Sequence, residues 1–418
     1  MYTVPMSPSI APQGNPSVGA LIARQAIVDA EGRVIGHELF NRSRNHAAHT
    51  AASDMMLALT ALSHAGLQEL MGETLIFVNC THESLAQGHL MLLDPAKVVL
   101  EIPPLGHTAT EEVRTRLPIL QSLHERGFRL AFNHSVLESA YAAWLPLADF
   151  IKLDVSSLRI EQTMVLAKYA LRESGAKLIA EKIETAHQLE LLSELGVRMF
   201  QGYWLSRPQL MEARLVFPST ESVTRLQGLL RQQADTQEIE SLVKRDAAMG
   251  FNLLRLAFTS GLLPAGGPQS IEHAIRLLGH KRLTCWVSLL QNFRVTSEEP
   301  QAASRHAVEQ GRFMELLAKA QQLPQSVSDQ AFLVGMITQL DHLLDIPLAS
   351  IIDLLHMPQG VRDAALQQTG YLGALLALAQ ACEAGEEAEQ LQSAAALGLS
   401  WQQLSEAHRL AQDWASPT

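Results

Sequence analysis

Seven short apolar runs in the first half of the chain carry or meet polar residues at their C-terminal ends, and helix-like stretches separate many of them. The runs are Val34–Phe40, Leu75–Asn79, Val98–Ile102, Phe128–Asn133, Phe150–Asp154, Lys177–Glu181 and Arg198–Tyr203. Several are continuously apolar rather than alternating, which is the pattern of parallel strands buried on both faces. Glu111–Arg126 and Thr185–Leu195 place apolar residues at helical spacing. Strand and helix alternating over this length predict a (β/α) barrel or a doubly wound sheet.

The polar residues at the strand ends are the candidates for chemistry. They are Glu38, Asn79, Glu101, Asn133 with His134, Lys152 with Asp154, Glu181 and Gln201. In a parallel barrel these ends converge on one face, where active sites are built. Carboxylates and an Asn there suit a hard divalent cation bound through oxygen. A nearby Lys could orient or help deprotonate a cation-bound water. Any one of these residues alone could merely cap its strand. All seven ends together argue against that reading, because a purely structural barrel needs no polar residue at every end.

The second half has a different texture. From Ser219 onward the pattern predicts helices and no strand. Phe332, Met336, Leu340, Leu343 and Leu344 fall on one face of a helix expected to open at Ser328. Glu272–Leu278, Arg312–Ala320, Leu348–Leu355 and Tyr371–Cys382 read the same way, with Gly279, Pro347 and Pro358 as boundaries. The 418 residues suit two or three domains. The expected division is a disordered tail over 1–19, an α/β unit over 20–215 and a helical unit over 216–418, with Glu212 to Thr236 as the junction.

Charge and cysteine content narrow the function classes. The net charge of −11 argues against broad contact with a phosphate backbone, so no nucleic acid is expected as a partner. Cys80, Cys285 and Cys382 form no CxxC and suggest small packed hydrophobes rather than a zinc site or a disulfide framework. No stretch reaches the roughly 20 apolar residues of a membrane span, and no secretory signal opens the chain. The expected compartment is the cytoplasm.

Several segments resemble the EAL domain, the cyclic di-GMP phosphodiesterase family. Gly36-His37-Glu38-Leu39-Phe40-Asn41-Arg42 resembles its ExLxR signature. Phe77-Val78-Asn79, Leu100-Glu101-Ile102 and Asp149-Phe150-Ile151-Lys152-Leu153-Asp154 resemble its Asn, Glu and DxIKID strands. Ala180-Glu181-Lys182-Ile183-Glu184-Thr185 resembles AEGVET, and Gln201-Gly202-Tyr203 with Pro208 resembles QGY…P. The resemblance implies a (β/α)8 TIM-like barrel whose first strand is antiparallel. Residues Asp246–Met249, Asn252–Leu256, Ser270–Gly279 and Ala331–Leu344 resemble an HDOD domain, the HD-related output domain of bacterial signalling proteins. The second half contains no His-Asp dipeptide, so His273, His306 and His342 are expected to be structural rather than metal ligands.

Departures from the EAL pattern shape the functional expectation. Where the family has Asp-Asp-Phe-Gly-Thr-Gly, this chain has Asn133-His134-Ser135-Val136-Leu137-Glu138. The resemblance assigns catalytic cations to those two aspartates, and a two-metal hydrolase needs both cations. The EAL tripeptide has become Glu38-Leu39-Phe40, and Lys182 replaces the Gly of AEGVET. The expectation is therefore a non-enzymatic, degenerate phosphodiesterase that regulates through contacts with signalling proteins. On this reading Glu38, Lys152, Glu181 and Gln201 are catalytic remnants. Glu38, Asn79, Glu101, Asn133, His134 and Glu181 hold at most a weak Mg2+ or Mn2+. Arg42, Glu38 and Asp154 are candidates for ligand contact, with Arg42 as a guanidinium clamp on phosphate. A cyclic di-GMP receptor without hydrolysis, and residual phosphodiesterase activity, stay open as alternatives. A homodimer also stays open.

Overall fold

The computed structural model describes residues 19–41, 74–86, 88–106, 110–214, 216–263, 267–291, 300–344 and 346–416. Arg42 and residues 1–18 lie outside them.

Eight strands close into a barrel: β1 (Gly19–Asp29), β2 (Val34–Asn41), β3 (Leu75–Asn79), β4 (Val98–Ile102), β5 (Arg129–Asn133), β6 (Phe150–Asp154), β7 (Lys177–Glu181) and β8 (Met199–Phe200). β1 runs antiparallel to both of its barrel neighbours, β2 and β8, while β2 to β8 pair in parallel in chain order. A further strand, β9 (Gln209–Arg214), pairs with the outer part of β1 from Gly19 to Arg24. Among the helices on the outside are α1 (His82–Ala86), α2 (Thr110–Glu125), α3 (Ile160–Glu173) and α4 (Ala186–Glu194).

The two-residue period of a strand divides the barrel into layers. Ile27, Phe77, Val99, Ala131, Phe150, Ile179 and Met199 point inward and form one closed apolar layer. Their neighbours Val78, Leu100, Leu130, Ile151 and Leu178 are buried in the separate, larger cluster outside the strands. This double burial is why β4 contains no exposed residue. On β2 the inward position at this level is Gly36. A Cβ there would stand 2.9 Å from the Phe77 ring and 2.8 Å from the Leu75 carbonyl oxygen. The glycine therefore makes room for the Phe77 ring. Truncating a buried Phe such as Phe77 to Ala costs about 3–5 kcal/mol.

The second half is helical. Its helices are α5 (Thr220–Arg231), α6 (Thr236–Val243), α7 (Ala247–Thr259), α8 (Ile271–Gln291), α9 (Pro300–Ala320), α10 (Gln325–Ile337), α11 (Leu340–Leu344), α12 (Leu348–Leu355), α13 (Gln359–Gln367), α14 (Gly370–Ala384), α15 (Glu387–Ala396) and α16 (Trp401–Ala415). No strand follows Ser219 among the described residues. The expected junction holds the end of β9 and all of α5, which Ser219 caps through the Ser222 amide. Gly279 interrupts α8 with φ 66° and ψ 165°. The helix expected to run from Ser328 to Leu344 is two helices. α10 begins earlier, after Pro324, and ends where the Thr338 hydroxyl donates back to the Val334 and Gly335 carbonyls. α9 and α10 approach at backbone distance: a Cβ on Gly335 would meet the Gln310 carbonyl oxygen at 2.8 Å.

The halves share one continuous apolar cluster. Polar contacts join them as well: His89 Nε2 lies 2.9 Å from Ser288 Oγ, and Arg282 Nε donates to the Met91 carbonyl at 3.1 Å. Cys80 is buried, Cys285 and Cys382 are half-buried, and none of the three is in a disulfide. No described helix is long and apolar enough to cross a membrane.

Candidate functional site at the open end of the barrel

The layer above the apolar plug is polar for a simple reason. Two residues beyond Phe77, Val99, Ala131, Phe150, Ile179 and Met199 stand Asn79, Glu101, Asn133, Lys152, Glu181 and Gln201. A step of two keeps a side chain on the same face of its strand, so these residues enter the barrel interior at its C-terminal end. Glu38 stands two beyond Gly36 on β2. Gln25, opposite Glu38 on the antiparallel β1, completes the ring.

Lys152 is the hub. Its ammonium lies 2.9 Å from Glu38 Oε2, 2.7 Å from both Glu101 oxygens and 2.7 Å from Glu181 Oε1. Glu38 also accepts from Asn79 Nδ2 at 3.0 Å and from Gln201 Nε2 at 2.8 Å. Gln201 Nε2 reaches Gln25 Oε1 at 3.3 Å, and Gln25 donates to the Ser206 carbonyl at 3.0 Å. Lys152 and Glu38 are each only 5% exposed. One ammonium thus faces three carboxylates in a place that water hardly reaches.

That imbalance sets the protonation. Burial, together with the charge of Glu38, pushes the Glu101 carboxyl up to about 8 despite Lys152. Burial raises Glu181 as well, against the pull of Lys152. Burial also acts to raise Glu38. There the Lys152 charge and the bonds from Gln201, Lys152 and Asn79 outweigh it, and the carboxyl stays below its ordinary value. Burial acts to lower Lys152, and its three carboxylates hold it well above the ordinary lysine value instead.

Donor chemistry decides what the site could hold. Glu38, Asn79, Glu101 and Glu181 offer oxygen donors around a point now taken by an ammonium, a cation standing in for a cation. Such a set suits Mg2+ or Mn2+. Gln201 Oε1 is buried and has no hydrogen-bond partner, so one more polar atom is open to a ligand or water. No three His, Cys, Asp or Glu among the described residues form a ready metal nest by themselves, and Lys152 is what stands between these carboxylates.

Other expected residues lie apart from this cluster. The Asn133 side-chain oxygen accepts from the Ser135 amide at 3.1 Å and from the Ser135 hydroxyl, capping the short turn His134–Leu137. His134 begins that turn, with its Nδ1 buried and unpartnered. Neither residue bonds a member of the Lys152 cluster. Asp154 accepts from the Ser156 amide and hydroxyl at 2.9 and 2.8 Å. It also pairs with Lys182, whose ammonium lies 2.7 Å from Asp154 Oδ2. Lys182 has φ 58°, in the left-handed region. That conformation costs a non-glycine residue about 1–2 kcal/mol, whereas an exposed ion pair returns only about 0–1 kcal/mol. Gln25 is a contributor that motif reading passed over, and Lys182 was read only as a departure from the AEGVET pattern. Gln25 could have been found from the reversed direction of β1, where the inward step runs two residues before Ile27.

Residues 23–208 match the EAL domain and residues 217–348 match the HDOD domain. The cyclic di-GMP phosphodiesterase CdgJ of Vibrio cholerae is 26% identical over 403 residues, covering 94% of this chain and 92% of that protein. YuxH of Bacillus subtilis is 23% identical over 363 residues, covering 82% of this chain and 86% of that one. Among solved structures, the manganese and cyclic di-GMP complex of Klebsiella pneumoniae BlrP1 at pH 9.0 is 24% identical. It covers 49% of this chain and 59% of that chain, with a TM-score of 0.39.

These findings correct the expectation of a non-enzymatic barrel. The Vibrio cholerae relative, alike over nearly the whole chain, is named a phosphodiesterase. The expectation rested on the exchanges at Asn133 and His134. Those exchanges leave the Lys152 cluster intact, because neither side chain bonds it.

Proposed function

We propose that this chain, which carries an EAL domain followed by an HDOD domain, hydrolyses cyclic di-GMP at the open end of its barrel. The observation behind this reading is the buried excess of carboxylates around Lys152. A structural ion cluster gains nothing from such an excess, whereas a site that recruits cations to a phosphodiester requires it.

Glu38, Asn79, Glu101 and Glu181 would hold a Mg2+ or Mn2+ ion. The cation supplies Lewis-acid stabilisation of the charge that builds on the phosphoryl oxygens. The chain's own residues do the positioning. Asn79 and Gln201 fix the Glu38 carboxylate through both of its oxygens. Lys152, on the neighbouring strand end, would give up its central place to the ion and keep a positive charge close to the reacting phosphate. Gln201 Oε1 is open to a donor, and the attacking water is a donor the reaction provides. In the overall step water adds to one phosphorus, one P–O ester bond breaks, and the leaving sugar oxygen takes a proton to give the linear dinucleotide. The apolar layer below keeps further water from the cluster.

The test is turnover of cyclic di-GMP by purified protein with Mn2+ or Mg2+, followed by chromatography of the products. Linear pGpG that disappears in Glu38→Gln is expected. Binding without any product, in either metal, would overturn the reading.

A further inference from the structure

The Lys182–Asp154 pair at the rim remains unexplained by stability. The side chain sits on a backbone conformation that favours glycine, and its ion pair is too exposed to offset the strain. Lys182 directly follows Glu181, a partner of Lys152, and Asp154 is the register partner of Glu181 on the adjoining strand. The Lys182 side chain is 60% exposed, so its ammonium stands in solvent at the edge of the buried carboxylates. Ser156 and Ser157 donate to Asp154 Oδ1 and keep that oxygen bonded whether or not Lys182 is present, whereas Lys182 pairs with Oδ2 of a side chain that is 22% exposed. The pair therefore has the character of a parked charge: an ammonium held ready by a partner that can release it.

We propose that Lys182 is a substrate-binding residue, which leaves Asp154 to contact a phosphate oxygen of the cyclic dinucleotide as it enters the barrel. The inference rests on the reading of the barrel as a cyclic di-GMP site. The chemistry is specific to this rim. A cyclic dinucleotide carries one negative charge on each of two phosphodiesters, and the buried cluster has more carboxylates than cations. An approaching phosphate meets repulsion from those carboxylates unless a positive charge lies at the edge. Lys182 supplies that charge on a flexible stem, and a charge-assisted hydrogen bond to phosphate oxygen gives it a grip.

The experiment compares wild type, Lys182→Gly and Lys182→Arg in the full chain, by calorimetric titration with cyclic di-GMP and by turnover with Mn2+. Lys182→Gly should weaken binding roughly tenfold and raise KM by a similar factor, with kcat changed far less. Wild-type affinity should fall with added salt more steeply than that of the glycine variant. Lys182→Arg should keep most of the affinity. Melting of Lys182→Gly should occur at or above the wild-type temperature, because glycine relieves the left-handed residue, so weaker binding cannot be put down to misfolding. Wild-type affinity and salt dependence in Lys182→Gly would overturn this inference while leaving the function intact. Absence of cyclic di-GMP binding by wild type itself would overturn the function and this inference with it.

Discussion

Two buried lysines, one in each half, sit in rings of carboxylates and come to opposite ends. Lys152 faces Glu38, Glu101 and Glu181 with no second cation bonded to them among the described residues. Lys244 of the helical half pairs with Glu240 at 2.7 Å and Glu315 at 3.1 Å, and stands 3.7 Å from Asp329. There Arg312 and Lys319 also reach Glu315, at 2.7 and 2.9 Å, and the Phe332 ring lies 4.8 Å from the Lys244 ammonium. Three cations meet three anions, and charge is balanced. Glu315 and Glu101 record the difference, although burial raises Glu240 of the helical ring as well. Burial acts to raise Glu315, yet Lys244, Lys319 and Arg312 bring it down to about 2. Burial and a neighbouring carboxylate push Glu101 up to about 8. A balanced ring holds helices α6, α9 and α10 together. The unbalanced ring keeps the carboxylate excess on which the proposed cation site rests.

The contrast can be broken by experiment. The largest effect is expected from Glu38→Gln, which should lower turnover on the order of 10³-fold while the melting temperature falls only modestly, because the smaller carboxylate excess offsets part of the lost pairing with Lys152. A marked loss of stability with full turnover would make the mouth a structural cluster. Next comes Glu315→Ala in the balanced ring, expected to cost about 3–5 kcal/mol in urea unfolding by stranding buried cations. A change below about 1 kcal/mol would dissolve the distinction between the two rings. Asn133→Asp combined with His134→Asp adds carboxylates to the mouth. It should tighten Mn2+ binding roughly tenfold by titration, and unchanged affinity would place those two positions outside the cation's reach.

The smallest effect is a pH slope. Glu101 titrates higher in the folded chain than in the unfolded one, so its ionisation opposes folding. Its contribution to stability is greatest at low pH and declines as pH rises from about 4.5 to about 8. Melting curves over pH 5–8 should show that decline in wild type and a flatter profile in Glu101→Gln. Glu315 runs the other way: its stabilisation is present above its ordinary value and fades as pH falls toward about 2. Parallel slopes in Glu101→Gln and wild type would remove the protonation difference on which the contrast stands.

The barrel was legible because its strands are short, continuously apolar and closed by polar residues. Leu75–Asn79, Val98–Ile102, Phe150–Asp154 and Lys177–Glu181 fall where the sequence places them. The strand Arg198–Tyr203 shrinks to Met199–Phe200, because Gly202 packs on the Ile183 backbone, where a Cβ would lie 2.2 Å from its carbonyl oxygen. β9 escaped notice, since an added outer strand needs no apolar run of its own. Of the candidate site, Glu38, Asn79, Glu101, Lys152, Glu181 and Gln201 were read as a converging set, and the structure brings them into one hydrogen-bonded cluster. Their hub was not legible: spacing along the chain gives a common face, but only three-dimensional closure shows which member the others surround. The Lys244 ring was invisible for the same reason, with its acids on α6, α9 and α10, 89 positions apart at the extremes from Glu240 to Asp329.

The apolar layer of Ile27, Phe77, Val99, Ala131, Phe150, Ile179 and Met199 makes the barrel a vessel with a sealed floor. Whatever enters the polar layer above it must leave by the way it came. On the proposed function, cation, water, dinucleotide and product would share that one opening, and product would have to clear the rim before new substrate could pass. A group resting on that rim therefore acts on arrival and on departure alike.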